Sequence, residues 1–139
     1  KQGNLTAGTS TGGMFKKRWG RIGDSPVIGA GTYADNNSCA VSCTGHGEYF
    51  IRHAVAFDVC ARYKYLKESV EKAADYIIHT ELNTNAGNGG LIAVDKLGNI
   101  AMPYNSGGMF RGFLYKEKGS PEIKKGCGIG KKIVVVGEK

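Results

Sequence analysis

The turn GRIGDSP, residues 20–26, carries a guanidinium and a carboxylate three residues apart, at Arg21 and Asp24. A guanidinium binds a carboxylate through two parallel hydrogen bonds, and an aspartate carboxylate accepts hydrogen bonds from an ammonium group. The two side chains could therefore hold both charged ends of one small zwitterion, which is the charge pattern of a free amino acid. The alternative is an ion pair between Arg21 and Asp24 across the turn, and the residue types alone favour that alternative.

Hydroxyl groups lie at two further places where an extended segment meets glycine. Thr11 ends the stretch TST directly before a Gly-Gly pair, and Thr44 and Gly45 follow the apolar run SCAVSC. Hydroxyls and backbone N–H groups at strand ends and helix N-termini are suited to holding a carboxylate or an oxyanion. The alternative is that the hydroxyls of Thr11 and Thr44 only cap nearby backbone groups.

The periodicity of apolar residues predicts the elements that must position these groups. Strands are expected at residues 38–44, 89–95 and 131–137, and helices are expected at residues 48–64 and 67–80. Strands before and after two helices predict an α+β fold with helices packed on the outer face of a sheet. Because no domain boundary is visible, the 139 residues are expected to form a single domain.

One segment of the chain occurs twice. Residues 1–15 and 96–110 share seven identities in 15 aligned positions, including Gly-Gly-Met-Phe at the end of each copy. Each copy is expected to contain a Gly-Asn turn, a short strand and a Gly-Gly turn. The apolar strand GGLIAVD precedes the second copy, whereas the first copy begins at Lys1. We therefore expect that an equivalent strand is missing before Lys1 and that the chain is a fragment of a longer precursor.

Charge and hydropathy restrict the possible partners and the compartment. The formal net charge is +7, which raises the possibility of an anionic partner, but most of the basic residues are expected to be solvated surface. No apolar run approaches the roughly 20 residues that span a bilayer, which predicts a soluble protein without membrane partners. Four cysteines without a C-x-x-C pair are expected to be reduced core thiols, which favours the cytoplasm. A periplasmic or lysosome-like compartment stays open, because a removed signal sequence would not be visible.

Other reactive motifs fail on spacing. His46 and Glu48 form H-x-E, but the P-C-x-x-C of zinc deaminases is absent, so neither a metal site nor a cofactor is expected. The stretch GCGIGKK, residues 126–132, lacks the glycine spacing and the final Ser or Thr of a phosphate-binding loop and is expected to be a turn. No G-x-S-x-G stretch is present to support a serine hydrolase.

Four motifs, in this order and spacing, resemble the β subunit of plant-type asparaginases, also called isoaspartyl peptidases. They are TSTGG at 9–13, GRIGDSP at 20–26, GAGTYAD at 29–35 and TGHGE at 44–48. The resemblance extends from residue 1 to about residue 112, and the tail, residues 117–139, does not match the ending expected for the family. The related glycosylasparaginases share much of the first half, but the second hairpin is closer to the isoaspartyl peptidases.

The resemblance implies an N-terminal nucleophile hydrolase with an αββα sandwich, of which this chain would be the C-terminal, β-subunit part. Such a precursor cleaves itself before a threonine, which then attacks the side-chain amide of asparagine or the β-linkage of an isoaspartyl dipeptide. The α-amino group of that threonine acts as the base, with a pKa of roughly 7.7–8.0. The implied partners are the α subunit of the same precursor and a second αβ unit, with no cofactor and no nucleic acid.

The resemblance also implies a role for each candidate residue. Thr11 would assist and orient the nucleophile, Arg21 would bind the substrate α-carboxylate, and Asp24 would bind its α-ammonium group. The hydroxyl of Thr44 and the N–H of Gly45 would form the oxyanion hole. No threonine of the chain matches the nucleophile by motif, so the chain as given is expected to be inactive. The alternatives are a glycosylasparaginase and a non-catalytic basic binding module.

Overall fold

The computed structural model describes residues 3–116, 123–129 and 134–137. The chain divides into two compact units, Lys1–Asn105 and Ser106–Lys139. The first unit holds a four-stranded sheet and the helices, and the second holds a three-stranded sheet. Mixed strands and helices agree with the predicted α+β class, whereas a single domain over the whole chain stays a prediction. In the described part of the chain, no helix combines the length and the apolar character needed to cross a membrane.

An antiparallel sheet with strand order β1-β2-β3-β4 is the frame of the first unit. Its strands are β1 (Thr32–Ala34), β2 (Cys39–Gly45), β3 (Gly89–Asp95) and β4 (Ile100–Ala101). β2 and β3 pair along their whole length, from Cys39 opposite Asp95 to Gly45 opposite Gly89. The strands predicted at residues 38–44 and 89–95 are confirmed to within one residue.

Three short α-helices and a π-helical segment follow β2 and cover one face of this sheet. They are α1 (Gly47–Arg52), α2 (Val55–Tyr65), α3 (Val70–Tyr76) and the π-helical segment Ile77–Leu82. α3 begins after Ser69, whose side chain accepts a hydrogen bond from the backbone N–H of Lys72 at 3.2 Å, as a helix N-cap does. The predicted apolar stripe of this helix is confirmed, because all five of its members are buried: Val70, Ala73, Ala74, Ile77 and Ile78.

The structure corrects the prediction of one continuous helix over residues 48–64. Ala54 separates α1 from α2 and has a left-handed backbone conformation, with φ of 45°. The apolar stripe is divided by this break, since Val55 and Val59 are fully buried whereas Ile51 is 38% exposed. Only the α2 part of the stripe therefore belongs to the core.

Hydrogen bonds to a distant turn account for the break. The first N–H groups of a helix have no partner within the helix. In α2, the N–H groups of Ala56 and Phe57 donate to the carbonyl oxygens of Ala30 and Gly29 at 3.0 and 2.8 Å. α2 is thus aligned on the turn before β1, and its axis cannot continue that of α1.

The core lies between the helices and the inner face of the sheet. β2 and β3 contribute every second residue, including Val41 opposite Ala93 and Cys43 opposite Leu91. Cys43 and Cys60 are also buried here, as is Cys39, whose Sγ lies 2.8 Å from the Sγ of Cys60. The prediction of core thiols is therefore confirmed for Cys39, Cys43 and Cys60.

The first copy of the repeat differs from the second. β4 of the second copy pairs with β3, as predicted, but residues 3–13 of the first copy are not assigned to a strand. Within the described residues, the first copy has no counterpart of β3 beside it. Side chains hold this segment instead, since the N–H of Leu5 donates to Asn36 Oδ1 at 2.7 Å and the hydroxyl of Thr9 contacts Ser42.

The second unit is an antiparallel sheet with strand order β5-β6-β7. Its strands are β5 (Arg111–Lys116), β6 (Ile123–Gly128) and β7 (Val134–Gly137). The expected strand at 131–137 is confirmed for β7, and its first three residues lie outside the described part. The turn expected at 126–132 is wrong at its start, because residues 126–128 belong to β6. Cys127 is exposed, so the prediction of a core thiol is wrong at this position.

Replacing Ala54 by glycine should stabilise the protein by about 0.5–1 kcal/mol. A left-handed conformation costs an L-residue roughly 1–2 kcal/mol, which exceeds the entropy that glycine adds to the unfolded chain. Ala61, inside α2, is the matched control, and Ala61→Gly should destabilise the protein by about 1 kcal/mol. Urea denaturation measures both changes, and a loss of stability in Ala54→Gly would contradict the conformation described here.

Candidate active site

The carboxylate of Asp24 is buried in a space that two glycines leave open. Asp24 is 6% exposed, and its Oδ2 has no hydrogen-bond partner among the described residues. A Cβ atom added to Gly31 would lie 2.7 Å from Oδ2, and one added to Gly47 would lie 2.8 Å from Oδ1. Because any side chain at either glycine would collide with the carboxylate, both positions are needed to admit it.

The backbone fixes Asp24 in place while its charge remains unfavourable. The Asp24 carbonyl oxygen accepts hydrogen bonds from the N–H groups of Val27 and Gly31 at 2.9 and 3.1 Å. Burial raises the pKa of the Asp24 carboxyl above its usual value, and the charge of Glu48 raises it further, while Arg21 lowers it. The net shift of the pKa is upward because burial outweighs the opposing effects of Arg21 and of the backbone N–H groups of Asp24 and Ser25.

Arg21 pairs with Glu48 and not with Asp24. Its Nη2 lies 3.3 Å from Glu48 Oε2, and the side chains are 27% and 55% exposed. The predicted alternative of an ion pair between Arg21 and Asp24 is therefore wrong. Glu48 lies in the first turn of α1, next to Gly47, so the same helix start contacts the carboxylate and the guanidinium.

Thr44 and Gly45 lie at the end of β2, where two strands approach closely. Gly45 pairs with Gly89, and a Cβ atom on Gly45 would lie 2.3 Å from the carbonyl oxygen of Asn88. Thr44 is exposed. Its hydroxyl does not cap α1, because the N-cap residue of that helix is His46, which makes no side-chain capping bond. The Thr44 side chain is therefore at the surface, next to the close approach of Gly45 and Gly89.

The Thr11 hydroxyl contacts a nearby backbone group, which is the alternative that the sequence leaves open for this residue. Its Oγ1 accepts a hydrogen bond from the N–H of Gly13 at 2.9 Å, and the residue is exposed. The contacts described above bring Arg21, Asp24 and the start of α1 together, and β2 leads directly into that start. The hydroxyl of Thr11 contacts its own turn rather than this group.

Sequence reasoning did not identify three residues that lie against Arg21 or Asp24: Glu48, Gly31 and Gly47. Glu48 was considered only as part of a metal motif, and its partner Arg21 is 27 residues away in the chain. Gly31 and Gly47 were not singled out, although the repeated glycines of GAG and GHG are the signal of a close approach. In the described residues, no three potential metal-ligating side chains lie together; that the site works without a metal stays a prediction.

An α+β protein with a buried carboxylate and a nearby guanidinium at the start of its first helix is the class that the geometry defines. The sequence pattern of the asparaginase family matches residues 1–123. The chain therefore belongs to the asparaginase family.

Curated relatives extend this match. The isoaspartyl peptidase of Salmonella typhimurium is 53% identical over 115 residues, which cover 83% of this chain and 37% of the relative. That of Escherichia coli is 48% identical over 127 residues, covering 84% of this chain and 40% of the relative. A probable isoaspartyl peptidase/L-asparaginase of Arabidopsis thaliana is 51% identical over 111 residues, with coverages of 80% and 33%. The chain thus spans at most about two fifths of the length of these relatives.

Asp24→Asn should raise the melting temperature at pH 7. The folded pKa of Asp24 lies above the usual value of 3.8, so ionisation is harder in the folded state. The ionised Asp24 carboxylate therefore destabilises the folded state. This effect is fully present above the folded pKa and disappears as the pH falls below 3.8. The difference between variant and unaltered protein should therefore shrink as the pH falls from 7 to 4.

Asp75→Asn is the control for this comparison, because the Asp75 side chain is 65% exposed on α3. Thermal unfolding at several pH values measures both variants. Equal melting temperatures for Asp24→Asn and the unaltered protein at pH 7 would show that the Asp24 charge is not penalised.

Proposed function

We propose that this chain is the β-subunit part of an isoaspartyl peptidase/L-asparaginase. The reaction would be hydrolysis of the side-chain amide of asparagine or of the β-linkage in a β-aspartyl dipeptide. Membership of the asparaginase family supports this, as do the names of the relatives, which include isoaspartyl peptidases at 53% and 48% identity. Those names favour the isoaspartyl peptidase over a glycosylasparaginase or a basic binding module.

The unpartnered Oδ2 of Asp24 is the observation that carries the proposal. A buried carboxylate oxygen without a hydrogen-bond donor costs free energy that an incoming ammonium group would recover. Gly31 and Gly47 leave the room that the carboxylate occupies, since a Cβ atom at either position would lie within 2.8 Å of one of its oxygens. We infer that the α-ammonium group of the substrate supplies the missing positive charge.

Arg21 would bind the α-carboxylate of the same substrate. A guanidinium has five N–H donors, and the contact with Glu48 involves only Nη2. The remaining donors are enough for a two-point contact with a carboxylate, while Glu48 holds the guanidinium from one side. Arg21 and Asp24 together would select a substrate with both an ammonium and a carboxylate on its α-carbon.

The oxyanion donors would be the hydroxyl of Thr44 and the N–H of Gly45. Gly47, against the Asp24 carboxylate, lies two residues after Gly45. One stretch of backbone would therefore serve both the ammonium site and the oxyanion site. Such a fixed separation suits an aspartyl group, whose reacting carbonyl is two bonds from its α-carbon. Donors fixed before the reaction stabilise the developing charge without reorganisation.

The nucleophile would be a threonine at the start of a strand preceding the first Gly-Asn turn. β3 precedes the equivalent turn in the second copy of the repeat, which supports a matching strand in the whole protein. The α-amino group of that threonine would take the hydroxyl proton and pass it to the leaving amine, and water would then release aspartate from the acyl-enzyme. Thr11 would orient the nucleophile.

The remaining assignments rest on the same proposal. The whole protein would be an αββα N-terminal nucleophile hydrolase that cleaves itself, with an α subunit from the same precursor and a dimer of αβ units. Residues 1–139 would form one domain within it, and the family match across the division between the two units supports this. The protein would act in the cytoplasm and need no cofactor.

Steady-state kinetics of the whole protein test this function. The substrates are β-aspartyl-leucine, asparagine and N-acetylglucosaminyl-asparagine, and the variants are Arg21→Lys and Asp24→Asn. Each variant should lower kcat/KM for β-aspartyl-leucine about 100-fold, because Asp24→Asn removes the carboxylate charge and Arg21→Lys removes the two-point contact of the guanidinium. The controls Arg18→Lys and Asp75→Asn, both at exposed residues, should leave it unchanged.

Three results would contradict the proposal. Cleavage of only the sugar-linked asparagine would favour a glycosylasparaginase. Inactivity of a folded, self-cleaved protein on all three substrates would exclude the proposed reaction. Unchanged kinetics in both variants would show that the proposed zwitterion site is elsewhere.

A further inference from the structure

Three hydroxyl groups outside the proposed substrate contacts form a connected cluster. The Oγ1 of Thr9 lies 2.7 Å from the Oγ of Ser42 and also contacts the Oγ1 of Thr32. Thr9 Oγ1 is 3.3 Å from the carbonyl oxygen of Gly31, and Thr32 Oγ1 donates to the carbonyl oxygen of Ser25 at 3.3 Å. These contacts are partly buried, so water competes for them less than at the surface.

The three hydroxyls and two backbone carbonyls form one hydrogen-bonded network. A hydroxyl has one hydrogen to donate and two lone pairs to accept with. Thr32 donates to the Ser25 carbonyl, and Thr9 lies within donating distance of the Gly31 carbonyl. The Thr9 hydroxyl has lone pairs left to accept from Ser42, so the cluster is connected to two backbone carbonyls. Thr9 is the central member, since it contacts both of the other hydroxyls.

Each part of this network borders a segment that carries a proposed site residue. Thr9 lies two residues before Thr11, and the carbonyl that accepts from Thr32 belongs to the residue directly after Asp24. Ser42 lies two residues before Thr44 on β2, so both side chains are on the same face of the strand. The cluster therefore joins three segments that are separate in the sequence.

Thr9 matters most because of the segment it belongs to. Residues 3–13 are not assigned to a strand, so backbone pairing does not fix the position of Thr11 in this structure. The hydroxyl of Thr9 links the segment to both β1 and β2, whose residues Thr32 and Ser42 are opposite each other in the sheet. A valine at this position would keep the shape of the side chain and lose every one of these contacts.

We propose that Thr9, with Thr32 and Ser42, is a positioning residue that sets Thr11, Asp24 and Thr44 relative to one another. This inference rests on the proposed function, because it assumes that those three residues act on one substrate. Thr9 does not touch the substrate itself. Its effect reaches the reaction through the backbone on either side of the hydroxyl cluster.

Kinetics of Thr9→Val and Thr9→Ser in the whole, mature protein test the proposal. Thr9→Val should lower kcat for β-aspartyl-leucine about 10- to 100-fold, as small misplacements of catalytic groups do. Thr9→Ser keeps the hydroxyl and should stay within about threefold of the unaltered protein. Ser10→Ala, at the exposed neighbouring hydroxyl, is the matched control and should have no effect.

Two further measurements separate positioning from folding. The melting temperatures of Thr9→Val and Thr9→Ser should be similar, and calorimetry should show weaker L-aspartate binding in Thr9→Val than in Thr9→Ser. If Thr9→Val does not fold, Ser42→Ala removes the hydroxyl that contacts Thr9, and its kcat should fall severalfold.

Equal losses of kcat in Thr9→Val and Thr9→Ser would overturn the proposal, as would an unchanged kcat in Thr9→Val or in Ser42→Ala. The unaltered protein alone decides whether the proposed function is correct. If that protein neither hydrolyses β-aspartyl-leucine nor binds L-aspartate, both inferences fail; if it does both, the comparison of the two Thr9 variants decides.

Discussion

The burial of one carboxylate, that of Asp24, is the constraint on which the candidate site depends. It requires Gly31 on the turn before β1 and Gly47 at the start of α1, since a side chain at either position would occupy the same space. It also requires that the turn around Asp24 be held by backbone hydrogen bonds to Val27 and Gly31. The turn, the first strand and the first helix are therefore packed around a group whose charge weakens the fold. A stability cost of this kind is typical of functional sites.

Close packing also constrains the backbone where β2 ends and β3 begins. Gly45 and Gly89 are opposite each other, and a Cβ atom on either would lie within 2.8 Å of the ring of Phe50, which is fully buried. Their φ angles of 149° and 156° also lie in the range that favours glycine. The backbone at this edge is thus held by an aromatic ring below it, and little movement is available to Gly45. A rigid N–H is what an oxyanion site needs, because its donors must be aligned before charge develops.

The parts of the fold that were predictable depend on local patterns. β2, β3 and the stripe of α3 were found from alternation and from helical spacing, because one buried face repeats along each element. The break at Ala54 was not predictable, since alanine favours helix and the cause lies in carbonyl groups of residues 29 and 30. The Arg21 partner was wrong for the same reason: local spacing suggested Asp24, whereas tertiary structure brings Glu48 within 3.3 Å. The family resemblance named the candidate site residues, and the structure adds that Oδ2 of Asp24 has no hydrogen-bond partner among the described residues.

The two copies of the repeat show how far one sequence pattern depends on its neighbours. In the second copy, backbone pairing with β3 forms β4, and Tyr104 makes a further bridge with Gly90. Thr9 aligns with Tyr104 in the first copy, yet its link to the sheet is made by its side chain. Backbone pairing fixes a segment through many weak bonds, whereas a hydroxyl fixes one point and leaves the rest of the segment to its turns. Within the described residues, the first copy, which leads into Thr11 and the Asp24 turn, is therefore positioned by a few contacts to side chains, among them those of Asn36 and Ser42.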